Sequence, residues 1–115
     1  MMIVAYIESK GINLKSFEVE DTGERRAFSN YPDQRRPIAP QEVRNAESKK
    51  MILVEFALQW ADKWEEKGDA DKVEIFTKAA KYMAAITDPR WFLDIPREES
   101  AKDTLRRALK EAGGK

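Results

Sequence analysis

The chain predicts an α+β domain: a three-stranded antiparallel β-meander, then a long core helix, an αα-hairpin partner and a C-terminal helix. Three observations carry this reading. Residues 1–29 are rich in β-branched and aromatic residues punctuated by turn residues. From Pro40 onward the apolar residues recur at helical spacing instead. Between the two regimes, Ser29 to Pro40 (SNYPDQRRPIAP) holds three prolines among polar residues, which rules out regular structure. Residues 1–115 then form a single domain, divided into a meander over 1–29, a Pro-rich connector over 30–40 and a helical part over 41–112.

The first strand is expected over residues 1–8, with Ile3, Ala5 and Ile7 on one face and Val4 and Tyr6 on the other. Ser9, Lys10 and Gly11 supply a turn. A second strand runs from about Ile12 to Glu20, with Phe17 and Val19 inward and a bulge near Lys15 or Ser16, where the parity changes. Asp21-Thr22-Gly23 forms a three-residue hairpin loop leading into a third strand, Glu24 to Phe28.

Pro40 suits a helix start, and the helix runs through Lys67, about 40 Å at 1.5 Å per residue. Within it, Met51 to Trp64 (MILVEFALQWADKW) has an apolar arc of roughly 200°, twice what a surface helix needs, so it touches partners on two sides. That arc places Trp60 in the core between sheet and helices. Gly68 stops the helix and Asp69 caps the next, making a tight αα-hairpin. The second helix ends near Thr87, with Ala79, Ala80 and neighbouring alanines permitting close packing. Residues 90–96 (RWFLDIP) lie between two prolines and read as non-helical. Ser100 caps the last helix, whose stripe is Ala101, Leu105, Ala108, Leu109 and Ala112.

Composition excludes more than it selects. Lys plus Arg and Asp plus Glu both number 21, so no global field draws the chain to nucleic acid or to an anionic membrane. With no His and no Cys, imidazole and thiolate metal sites, Ser-His-Asp and Cys-His catalysis are all unavailable. No cofactor, metal or catalytic residue is predicted. The N-terminal MMIVAYI has no basic leader and is too short for a membrane span, which makes the cytoplasm the expected location. Charged residues at 37% bias the chain in the direction seen in thermophiles.

Three stretches stand out. Arg25, Arg26, Phe28, Tyr31, Arg35 and Arg36 interleave guanidinium and aromatic groups, as single-stranded nucleic acid or a phosphorylated partner would use. The alternative is structural, with Arg26 paired to Glu18 and Phe28 in the core. An acidic run from Asp62 to Glu74 lacks the glycine and spacing of a calcium loop; Asp69 and Asp71 belong to a helix first turn. Trp91, Phe92 and Leu93, with Leu105 and Leu109 of the last helix, form a candidate protein interface, or else a lid on the domain's own core.

The function expected is therefore non-enzymatic: a protein–protein interaction, assembly or regulatory protein, of the kind that viruses and mobile elements also encode. More amphipathic surface than one small chain covers favours a homodimer. The alternative is a nucleic-acid-binding domain using residues 25–36.

Overall fold

The computed structural model describes residues 2–18, 38–96 and 98–113, and among them every regular element is a helix. These are α1 (Met2–Ser9), α2 (Pro40–Glu66), α3 (Ala70–Ala85), α4 (Arg90–Leu93) and α5 (Ala101–Gly113). The α+β expectation is thereby corrected, because no strand occurs among the described residues. α2 is the hub: α3 packs along it, α5 lies against α3 and the edge of α2, and α1 and α4 sit on α2. No described helix is long and apolar enough to cross a membrane.

The first expected strand is a helix. Its β-branched content reads as strand, but tertiary packing outweighs that propensity of a few tenths of a kcal/mol per residue. Val4 and Ile7, one turn apart, are turned inward, with Ile7 fully buried. The expected turn is this helix's C-terminal cap. Gly11 has φ +80°, its N–H reaches Glu8 O (2.9 Å), and Ile12 N–H reaches back to Ile7 O (3.4 Å). This is a Schellman arrangement, sealed by contact between buried Ile7 and Ile12. Gly68, at φ +78°, repeats it at the end of α2, with bonds to Glu65 O and from Asp69 N–H to Trp64 O.

The described part of the expected second strand, residues 12–18, forms no strand. Its amides serve the end of α3 instead: Lys15 N–H donates to Ala84 O (2.9 Å) and Glu18 N–H to Thr87 O (2.7 Å). The expected third strand, residues 24–28, lies outside the described residues.

The helical part follows the sequence more closely. α2 begins at Pro40, and Asp69 caps α3 by accepting from Lys72 N–H (3.1 Å). Ser100 Oγ accepts from Asp103 N–H at the start of α5 (3.2 Å). The hairpin interior is made of Val54, Ala57, Leu58 and Ala61 against Ala79, Ala80, Met83 and Ala84, all buried. Residues 90–93 depart from expectation by forming a helical turn. Pro89 starts this turn rather than ending one, since a helix needs no N–H there. Asp88 Oδ1 accepts from Arg90 N–H (3.0 Å), and the turn drives Phe92 to full burial beside Phe17.

Lys50 is the unusual core residue. It is 3% exposed, and its ammonium donates to Lys15 O (2.6 Å) and Ile86 O (2.7 Å), with the Phe17 ring 4.7 Å away. Burial draws its pKa down to about 8, Glu47 acting the other way. Between that value and the ordinary 10.5, the unfolded chain holds a proton that the folded chain has released, so stability rises with pH. A neutral amine still has two N–H groups for the two carbonyls. Tyr82, raised to about 12 by burial and by its bond to Glu111, opposes this only above the ordinary tyrosine value of 10.

Urea unfolding should show the protein gaining about 1 to 2 kcal/mol between pH 8 and 10. Lys50→Met, which orphans both carbonyls, should cost about 2 kcal/mol at pH 7 and remove this rise. A second expectation concerns Phe92→Ala, which should cost about 3 to 5 kcal/mol by the same measurement.

Candidate functional site

The C-terminal half of α2, the first half of α3 and α5 enclose a groove of about 290 Å³. Its walls are aromatic because α2 presents Trp60 and Trp64 one turn apart, at the edge of its apolar arc rather than at the centre. Trp60 stacks on Phe76 of α3 (ring centroids 5.9 Å, 30°) and meets Phe56 edge-on (5.7 Å). Trp60 is thus half-buried, which corrects its expected place in the core: Val54, Ala57, Leu58 and Ala61 occupy the arc's centre. From α5, Leu105 and Leu109 complete the floor and one wall.

Cations supply the rim. Lys102 Nζ lies 4.8 Å from the Trp60 ring and Lys72 Nζ 4.6 Å from the Trp64 ring, with Lys63 and Lys67 farther out over the same two rings. Arg106 stands beside them on α5, one turn from Lys102. Among the described residues no carboxylate lines the groove. Lys72 and Arg106 each pair with an acid three residues earlier, Asp69 (3.5 Å) and Asp103 (2.9 Å), but these exposed pairs hold their cations weakly. Trp64 Nε1 is buried and has no acceptor among the described residues. Ile75, 42% exposed, stands at the mouth. A larger, more open cleft of about 610 Å³ on the hairpin carries both signs of charge, Glu65, Asp69 and Glu74 against Lys78 and Lys81, and has no aromatic wall.

The predicted interface residues divide between interior and surface. Phe92 and Leu105 are buried in the core, whereas Trp91, Leu93 and Leu109 are half-buried. Trp91 is engaged within the fold: its Nε1–H donates to Glu111 Oε1 (2.8 Å), which also accepts from Tyr82 (2.7 Å), and Arg107 lies over its ring. Arg107 in turn holds Glu99 (2.6 Å), and with Thr104 keeps that carboxyl below its usual range. Only Leu105 and Leu109 of the predicted set belong to the groove. Arg25, Arg26, Phe28, Tyr31, Arg35 and Arg36 lie outside the described residues.

Sequence reasoning missed Lys72, Lys102 and Arg106. Their signal was present as Lys102 and Arg106 flanking Leu105 and Leu109 at i, i+4 spacing, but it needs the position of Trp60 to become a site. No three acidic side chains among the described residues are placed to hold a metal ion. Elsewhere, Asp62 accepts from Tyr6 (2.8 Å) and Lys10 (2.7 Å), which ties α1 to α2. Lys10 chiefly draws the Asp62 carboxyl down, and burial pushes the Tyr6 hydroxyl up.

Comparison of the chain with protein-family models, with curated proteins and with solved structures gave no match. The groove's chemistry therefore carries the functional reading. Because Trp60 is half-exposed, Trp60→Ala should cost only about 1 to 2 kcal/mol in urea unfolding, well short of Phe92→Ala.

Proposed function

We propose that this chain is a non-enzymatic interaction protein that receives, in the groove between α2, α3 and α5, an apolar protein segment flanked by carboxylates. The observation that carries the proposal is a rim of Lys72, Lys102 and Arg106 around tryptophan walls, with no acid among the described lining residues, in a chain of zero net charge. Apolar walls supply binding energy through area removed from water, while one-signed rim charges select the partner and steer its approach. Arginine and tryptophan are also the side chains in which interface binding energy concentrates. A volume near 290 Å³ suits one or two bulky side chains rather than a large cofactor.

A 16-residue helical peptide of alternating Leu and Glu pairs, titrated against tryptophan fluorescence, tests this reading, with a Leu/Lys peptide as control. The acidic peptide should bind, and Lys102→Glu should weaken it by about tenfold or more. Equal binding of both peptides, or binding of neither at hundreds of micromolar, would remove the proposal.

A further inference from the structure

The groove asks for a bulky apolar side chain accompanied by a carboxylate, and the chain carries one such pair at the groove's own mouth. Only two large apolar side chains are exposed among the described residues, Ile52 on α2 and Ile75 on α3. Ile52 lies outside the groove, whereas Ile75 is part of its lining. Asp71, exposed, stands one turn before Ile75 on the same helix. One face of the molecule therefore holds an apolar knob preceded by a carboxylate. Beside it lies a tryptophan-walled hollow edged by Lys102 and Arg106.

Resting on the reading of the groove given above, we propose that its occupant is a second copy of this chain, related by a two-fold axis that passes between Ile75 and the hollow. Such an axis carries Ile75 of each copy onto the tryptophan walls of the other. Asp71 travels with it and meets the second copy's cationic edge, formed by Lys102 and Arg106. Charge complementarity selects this occupant: the α5 edge of the hollow carries Lys102 and Arg106 with no lining acid among the described residues, and the α3 knob brings Asp71, while Lys72 beside it is paired to Asp69. Knob and hollow open on one face and each is used twice, so the contact is self-complementary and closes at two chains. A filament would need the two to lie on different faces.

Light scattering coupled to size exclusion decides the matter on the full chain. At 50 µM the wild type should have twice the single-chain mass of 13.3 kDa. Ile75→Asp should raise the dimer dissociation constant by about 100-fold. Its far-ultraviolet dichroism should match the wild type, because the side chain is already partly in water. Ile52→Asp, the matched change outside the groove, should leave the dimer intact. Asp71→Arg and Arg106→Asp should each weaken the dimer, and the double variant should recover it. A single-chain mass at 200 µM, a dimer indifferent to Ile75→Asp, or masses growing beyond two chains would overturn the proposal. Should the wild type be a single chain that still binds the acidic peptide, the groove remains a docking site and the two-fold pairing falls. If it neither pairs nor binds the peptide, both fall together.

Discussion

One buried ammonium group joins three separate parts of the chain at a single point. Lys50 is carried inward by the middle of α2 and donates hydrogen bonds to the Ile86 carbonyl at the end of α3 and to the Lys15 carbonyl of segment 12–18. The carbonyls at a helix C-terminus have no partner within the helix, and a cation is favoured there by the helix dipole. Residues 12–18 supply two further donors, Lys15 N–H to Ala84 O and Glu18 N–H to Thr87 O just past the helix. Phe17, held over the same ammonium, meets Phe92 and so links α4 to this junction. Charge burial is unfavourable in itself, as the lowered pKa records; its return is a fixed mutual position for α2, α3, α4 and the segment after α1.

That junction lies at one end of the αα-hairpin and the aromatic groove at the other. Gly68 makes the connection tight enough for Trp60 to stack on Phe76 early in α3, and the Asp69 cap begins α3 without a linker. α5 approaches α3 more closely than α2, and the groove lies in the gap left between α5 and the tryptophans of α2. Cations complete the rim because Lys63, Lys67, Lys72 and Lys102 hold their ammonium groups over the two indole rings.

The helical two-thirds of the chain was legible because its signals are local and redundant. Pro40, Gly68, Asp69 and Ser100 mark their boundaries through backbone chemistry that no tertiary contact needs to complete. The N-terminal region misled for the opposite reason. MIVAYIES satisfies strand propensity but alternates poorly, and eight residues are too few for either pattern to decide, so packing against α2 decides in favour of helix. Gly11 fits a hairpin turn and a helix cap equally well. At residues 90–93, two prolines marked the limits of a helical turn, not its prohibition. As for the groove, Trp60 and Trp64 were visible as apolar residues, but the arc's width hid which side of it faces water. Lys102 and Arg106 gained meaning only once α5 was placed beside Trp60 and Trp64.

The order of connections along the chain has a kinetic consequence. Contacts between α2 and α3 close a loop of a few residues at Gly68, whereas Lys15 and Glu18 reach α3 across some seventy residues of chain. Loop-closure entropy makes the first cheap and the second dear, so the hairpin is the natural nucleus and the N-terminal segment docks onto a helix end already formed. The same asymmetry acts in the native state. Release of residues 2–18 would expose amides of α1 and the last carbonyls of α3 while the hairpin stayed intact, a sub-global opening with its own free energy below that of complete unfolding. Amide protection should fall into two tiers, with Ala57 and Ala80 in the slower and Ile7 and Lys15 in the faster.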